Sequence, residues 1–167
     1  MTEKFLQHMT IESAIVPVDL ATAANDGDWI SLKNYRKALV VLFATAGTAG
    51  QDPVFTLRQA SAVAGTGAKA LDFTVVYEKV GALTGVAAWT RVTQAAANTY
   101  TNAVSGEAQN IIVVEVDAAS LDVDNGFDCI QLQVPDTGAT AGKIGCGIVV
   151  LLDPRYPQGA MASALAD

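Results

Sequence analysis

The sequence predicts an all-β protein, a single antiparallel β-sandwich with a flexible arm at each end. Short strand-like segments recur at intervals of roughly a dozen residues, and turn-forming residues separate them. No segment keeps a helical period over the length of a helix. The chain has 167 residues, which favours one domain with a substantial core. We expect the sandwich at residues 14–153, and a jelly-roll-like connectivity is one member of this class.

The clearest pair of strands lies between residues 110 and 134. Residues 111–116 are β-branched apart from Glu115, which suits a mostly buried strand. The second strand alternates between apolar and polar residues, namely Ile130, Leu132 and Val134 against Gln131 and Gln133. This period of two predicts one buried face and one wet face.

The acidic connection between these two strands is predicted to be a compact turn. Asp117 can cap a single turn over residues 118–121. Asn125 and Gly126 supply the left-handed backbone that a tight turn needs. These polar residues therefore have structural roles.

The other predicted strands are less regular. Residues 38–44 are apolar throughout and predict a central strand buried on both faces. Residues 60–71, rich in Ala and Gly, predict a long loop. The remaining strand predictions cover residues 15–20, 29–33, 55–58, 72–80, 87–93, 99–103 and 143–152.

The two ends of the chain lack this pattern. Residues 1–13 show no clear periodicity and predict an arm or an extra edge segment. Residues 154–167 contain two prolines and several small residues, which predicts a surface tail that a neighbouring molecule orders. If the protein functions in an assembly, we expect both ends to be contact segments.

Composition limits the classes of partner. The formal net charge is −7, whereas nucleic-acid binders cluster Lys and Arg to neutralise phosphates. The one basic cluster, Lys33, Arg36 and Lys37, is interpreted as a solvated turn, so no direct nucleic-acid partner is expected. Charged residues make up 16%, below the roughly 25% of ordinary soluble domains. This low charge favours a surface that is covered in an oligomer or a larger assembly.

Neither a membrane span nor an export signal is predicted. The strongest apolar run covers residues 144–152 and contains Gly145 and Gly147, far short of the roughly 20 residues that a helix needs to cross a bilayer. The first residues include Glu3 and Glu12 and lack the apolar core of a signal peptide. The sequence therefore predicts cytoplasmic synthesis and no membrane partner. Cys129 and Cys146 are expected to be buried reduced thiols, and a disulfide between them stays open.

No catalytic, cofactor-binding or metal site is predicted. The only histidine, His8, lies in the predicted arm, where it would be a poor base for a catalytic triad. With so few His and Cys residues, zinc binding is not expected. Two glycine-rich segments, residues 64–70 and 138–144, resemble phosphate loops but lack the required Ser or Thr after the lysine. Both are interpreted as turns.

The acidic residues give no clear site either. Asp117, Asp122, Asp124 and Asp128 cluster around the connection, but an EF-hand would need an oxygen ligand at Gly126 and a glutamate at Gln133. Turn capping explains these acids, and a cation at this corner stays open. A glycosidase would need a defined acid pair, which the sequence does not identify. The aromatic residues Trp29, Trp89, Tyr77 and Tyr100 are interpreted as core or interface.

Two segments resemble a known family, the head decoration or cement proteins of tailed bacteriophages. They are GDWISLKNYRKALVVLF at residues 27–43 and VVEVDAASLDVDNGFDCIQL at residues 113–132. The resemblance covers residues 14–152 as a pattern of acidic, Ala-rich strands rather than as a single motif. It implies a jelly-roll-like sandwich that forms a dimer or trimer, and it carries over no catalytic residue.

The resemblance also implies a function. A decoration protein is a structural virion protein that binds the outside of the capsid and stabilises contacts between major capsid protein subunits. A receptor-binding or carbohydrate-binding β-sandwich of a phage tail or fibre is the alternative, and exposed aromatic residues around one groove would favour it. An enzyme with an unidentified acid pair is the third class.

Overall fold

The computed structural model describes residues 8–85, 88–138, 140, 142–156 and 163–165. Within these residues the chain forms antiparallel strands in two sheets, with two short 3-10 turns and no α-helix. The apolar side chains between the sheets form one core. The predicted all-β antiparallel sandwich is therefore confirmed, and the jelly-roll-like connectivity stays a prediction.

The sheet with the longer strands, called sheet I, has the order β1-β12-β4-β10-β7-β8. Neighbouring strands are antiparallel throughout. Its strands are β1 (Met9–Asp19), β4 (Tyr35–Ala44), β7 (Phe73–Val80), β8 (Thr90–Ala97), β10 (Asn110–Asp117) and β12 (Ile144–Pro154).

The second sheet, called sheet II, is built from shorter strands around β11. Its main path is β2-β11-β5-β6, with β3 also paired to β11 and β9 to β5. Its strands are β2 (Asn25–Asp26), β3 (Ile30–Ser31), β5 (Phe55–Ala60), β6 (Lys69–Ala70), β9 (Thr99–Tyr100) and β11 (Cys129–Val134).

Strand β4 lies in the middle of sheet I but is not buried on both faces, so that prediction is wrong. Val40 and Leu42 point into the core and are fully buried, whereas Phe43 points outward and is 40% exposed. Leu39 and Val41 share the outward face and are half-buried. An uninterrupted apolar run hides the period of two, because the outward residues of β4 are as apolar as the inward ones.

The two sheets approach closely at β12. A Cβ on Gly147 would lie 2.7 Å from Cδ2 of Leu132 in sheet II, so only glycine fits there without a shift. On the other side of the core, the rings of Phe55 and Phe73 join the sheets edge to face at 5.9 Å between centroids. These contacts fix the distance between the sheets.

The acidic connection has the predicted local structure. The carboxylate of Asp117 accepts a hydrogen bond of 3.0 Å from the backbone N–H of Ala119 at the start of a 3-10 turn. Gly126 ends the second 3-10 turn with φ of +78°. The cap at Asp117 and the left-handed turn at Gly126 are confirmed, whereas Asn125 belongs to the 3-10 turn and is not left-handed.

Where the structure describes them, parts of the two predicted arms belong to the domain, and residues 9–13 agree with the alternative of an extra edge segment. Residues 9–13 belong to β1, an edge strand that pairs with β12, because Met9 and Ile11 continue the apolar alternation of that sheet. In the predicted tail, Ala164 is 5% exposed and its N–H donates to Oε1 of Glu12 at 2.9 Å. This part of the tail therefore packs on its own domain. Residues 1–7, 157–162 and 166–167 lie outside the described residues.

The predicted strand at residues 29–33 is reduced to the two residues of β3. The strand predicted from residue 87 begins at Thr90. Residue 87 itself lies outside the described part of the chain.

Candidate functional surface

The outer face of sheet I is apolar across four neighbouring strands. This outer face comprises the side chains of sheet I that point away from the core. Ile11 is 57% exposed, Ile144 42% and Ile148 38%. Half-buried apolar residues complete the surface: Met9, Leu39, Val41, Ile111, Val113, Val150 and Leu152. Outer faces of antiparallel sheets are usually polar, so a patch of this kind is a candidate interaction surface.

The outer face contains an apolar hollow between β1 and β12. It has a volume of about 370 Å³, and its lining includes Ile11, Ser13, Cys146 and Ile148. Phe43 lies on β4 directly opposite Cys146 in the strand register. The outer face therefore has both a projecting aromatic ring and a recess within a few residues of each other.

The polar part of the outer face lies toward β7 and β8. Lys37 and Glu115 form an exposed ion pair of 3.4 Å where the apolar patch ends. Beside it is a shallow groove of about 390 Å³ whose lining includes Tyr77, Arg91 and Asp117. A charged border of this kind around an apolar centre is the usual arrangement of a protein–protein interface.

Lys143 is the most unusual charged residue in the described structure. Its side chain is fully buried, and Nζ donates to the backbone carbonyls of Ser105, Gly106 and Ala108 at 2.5, 3.1 and 3.2 Å. Burial lowers the pKa of Lys143 from 10.5 to about 8, and Asp52 opposes this by favouring the charged form. Lys143 thus fastens the loop after β9 to the start of β12.

The surrounding loops are joined by further polar contacts. Asp52 accepts from the N–H of Gly106 at 2.6 Å, and buried Gln51 accepts from the N–H of Thr48 at 2.8 Å. Asn110 donates to the carbonyls of Ser105 and Ala108, two of the oxygens that Lys143 uses. These contacts hold the loops together, so we interpret the cluster as structural.

A second buried polar contact joins the two sheets. Glu78 of sheet I accepts from the hydroxyl of Tyr100 in sheet II at 2.9 Å and from Asn102 at 2.9 and 3.0 Å. Burial and the neighbouring Glu78 raise the pKa of Tyr100 to about 12. These groups support the fold and leave no oxygen pair open to a substrate.

The acidic cluster of the connection is divided among separate contacts. Asp122 pairs with Lys69 and accepts from Asn125 at 2.9 Å, and both interactions lower its pKa. Asp128 accepts from the thiol of Cys129 at 3.2 Å, and Asp124 is exposed. Among the residues that the structure describes, no group of three His, Cys, Asp or Glu side chains could hold a metal ion.

The other residues considered in the sequence are scattered. His8 is exposed just before β1. Trp29 stacks with Arg58 at 5.9 Å, Trp89 is exposed, and Tyr77 lies on the outer face of sheet I. They do not surround one groove.

Cys129 and Cys146 do not form a disulfide with each other. Cys129 is buried in sheet II, as expected, whereas Cys146 is only half-buried on the outer face of sheet I. Burial also raises the pKa of the Cys146 thiol. Cys146 thus reports on whether this face is covered.

Sequence reasoning missed two features. It assigned Lys143 to a turn and could not show that the side chain turns inward. It also missed the apolar outer face of sheet I. The signal was present in β4 and β12, where apolar residues occupy the outward positions as well as the inward ones, so these strands lack the usual alternation of apolar and polar residues.

Comparison of the chain with protein-family models, with curated proteins and with solved structures finds no match. In the part of the chain that the structure covers, no helix has the length and apolar character needed to span a membrane.

Proposed function

We propose that this protein is a structural protein that acts by packing against other protein subunits, in the form of a decoration protein on the outside of a tailed-phage capsid. The observation that supports this proposal most is the apolar outer face of sheet I. Burial of apolar surface drives most protein association, at roughly 25 cal/mol per Å². A face of this composition gains by being covered with protein.

The proposed mode of action is mechanical rather than catalytic. A decoration protein occupies many identical positions on a shell, and the lattice adds avidity to modest individual contacts. The expected partners are the major capsid protein and further copies of this chain, and the proposed location is the virion surface. With a net charge of −7, the protein needs no contact with the packaged nucleic acid.

Quantitative mass spectrometry of gradient-purified particles tests this function. We expect the protein to be present at a fixed ratio to the most abundant shell protein and in comparable copy number. Presence in only a few copies per particle would favour a tail or fibre component. Absence from particles would contradict the virion proposal.

One observation favours the alternative of a receptor-binding or carbohydrate-binding sandwich. The groove beside β7 combines an aromatic ring, Tyr77, with Arg91, Glu115 and Asp117, and sugar sites use such combinations of a flat ring and polar groups. A glycan-binding assay of the wild type and of Tyr77→Ala tests it. Binding that Tyr77→Ala abolishes would favour this alternative over the capsid proposal.

A further inference from the structure

We propose that the outer face of sheet I is covered by a second copy of this chain, in a symmetric dimer in which Phe43 of each subunit fills the hollow between β1 and β12 of the other. This inference rests on the proposed function only in taking this face as the assembly surface. The arrangement itself follows from the shape, size and charge of the face.

The distribution of apolar residues defines the symmetry axis. The apolar strands are β1, β12, β4 and β10, in that order, whereas β7 and β8 carry the polar residues of the face. A two-fold axis that runs along the strands between β12 and β4 places β4 of one copy over β12 of the other, and β10 over β1. Strands β1, β12, β4 and β10 are then covered, with Glu115 and Asp117 of β10 along the edge of the contact, and β7 and β8 stay in water, as expected for an isologous interface.

The same axis places Phe43 of each subunit against the hollow of the other subunit. Phe43 and Cys146 are register partners on β4 and β12, so the axis between these strands brings Phe43 of one subunit over Cys146 of the partner subunit. Cys146 lines the apolar hollow of about 370 Å³. Aromatic side chains in such pockets supply much of the binding energy of protein interfaces.

The size of the apolar surface fits a dimer. Four strands at about 4.8 Å spacing and eight paired residues at about 3.3 Å rise give a flat area of about 500 Å². Pleating and projecting side chains make the accessible area larger than this flat value. Two such faces together bury about 1,000 Å² or more, the lower limit of a biological interface, so we expect a dimer that forms in a concentration-dependent way.

Charge also favours contact through this face. Two copies that each carry −7 repel each other, so a stable contact must keep most of the acids apart. The outward-facing charges of β4 and β10 lie toward one end of these strands, where Lys37 and Glu115 already pair and Asp117 follows. Glu12 also lines the hollow, where its carboxylate accepts a hydrogen bond of 2.9 Å from the N–H of Ala164.

The experiment measures subunit mass by light scattering and sedimentation over a range of concentrations. Ser13→Arg places a long charged side chain in the hollow. Thr93→Arg is the matched control, because both residues are exposed on the outer face in edge strands of sheet I, but Thr93 lies outside the proposed contact. We expect a wild-type mass of twice 17.3 kDa and a dissociation constant at least about 30-fold weaker for Ser13→Arg, the size of a hot-spot effect. Thr93→Arg should bind as the wild type does.

Phe43→Lys is the second variant and should weaken the dimer to a similar extent. Circular dichroism of each variant confirms that it is folded. A wild type that stays monomeric at all concentrations, or a dimer that both variants leave intact, would overturn the inference.

Binding of the same proteins to purified particles separates this inference from the proposed function. If a monomeric wild type binds particles and Ser13→Arg does not, the shell covers the face, which overturns the dimer and supports the capsid role. If the wild type is a dimer that Ser13→Arg dissociates but is absent from particles, the dimer stands and the capsid role falls.

Discussion

The outer faces of the two sheets differ, although both sheets enclose the same core. On sheet II the outward residues of the central strands are polar, with Thr56 and Arg58 on β5 opposite Gln133 and Gln131 on β11. On sheet I the corresponding positions of β4 and β12 are apolar. The outward residues of sheet II are thus polar and contact loops of the same chain, whereas the outward residues of sheet I form an exposed apolar patch.

This difference shows that the low content of charged residues is most evident on the outer face of sheet I. The second sheet is covered by its own loops, since the side chain of Gln131 donates to the carbonyl of Gly27 at 2.6 Å. No described segment covers the centre of sheet I in the same way, and its apolar residues are exposed to a degree that a lone subunit does not require. The stability of one subunit and the covering of sheet I by another molecule can therefore be tested separately.

The largest expected effect concerns the two faces of β4. We expect the inward residues of β4 to stabilise the single subunit more strongly than the outward ones do. Leu42→Ala should lower the free energy of unfolding by about 2–5 kcal/mol, because it leaves a cavity in the core. Val41→Ala should cost about 1 kcal/mol or less, the span of strand preference.

Both substitutions are made in the Ser13→Arg background, which removes the contribution of the dimer, and are measured by urea unfolding. Equal costs for Leu42→Ala and Val41→Ala would show that the outward face belongs to the subunit's own stability. That outcome would contradict the distinction between the two faces.

A second prediction concerns Lys143, which should affect the stability of the subunit but not the formation of the dimer. Since burial lowers its pKa to about 8, the unfolded chain binds this proton more tightly, and the free energy of unfolding should rise with pH between about 8 and 10.5. Lys143→Met should abolish this rise. In Lys143→Met, the carbonyl oxygens that had accepted from Lys143 still accept hydrogen bonds from the side chain of Asn110 and from the N–H of Gly47. The variant should therefore fold.

The measurement is thermal unfolding from pH 8 to pH 10. The range stops there because Tyr100, with a pKa raised to about 12, stabilises the fold below pH 10 and loses this contribution as the pH rises to 12. Cys146 has a raised pKa in both proteins, so the difference between them isolates Lys143. Identical pH profiles of wild type and Lys143→Met would contradict the assignment, and subunit mass should be the same in both.

The smallest expected effect concerns the acidic turn beside sheet II. Asp122→Ala removes the partner of Lys69 and Asn125 and should lower the melting temperature less than Leu42→Ala does. Its lowered pKa means that this contribution is present above pH 3.8 and is lost at lower pH. Calcium should leave the melting temperature of the wild type unchanged. A rise on adding calcium, absent in Asp122→Ala, would show a cation site instead.

The fold was largely predictable because local chemistry determines it. The alternation at residues 130–134 and the caps at Asp117 and Gly126 are encoded within a few residues of the positions they shape. The outer face was not predictable in the same way. An apolar run such as residues 38–44 is compatible with burial on both faces by the same chain or with burial on one face by another chain.

The buried polar contacts could not be predicted, because they join segments that are distant in the sequence. Lys143 meets carbonyls about 35 residues earlier in the chain, and a lysine after a glycine is typical of an exposed turn. The docking of Ala164 on Glu12 and Ser31 likewise joins the two ends of the chain. Such long-range pairs leave no local pattern in the sequence.

The most direct test of the account is the alkylation rate of Cys146 as the protein is diluted. Cys146 lies under the proposed contact, and a Gln133→Cys variant supplies a reference thiol on the outer face of sheet II. We predict that Cys146 reacts slowly in concentrated protein and faster on dilution, while the thiol at position 133 reacts at one rate throughout. Equal and concentration-independent rates at both positions would contradict the claim that sheet I is covered by a second subunit.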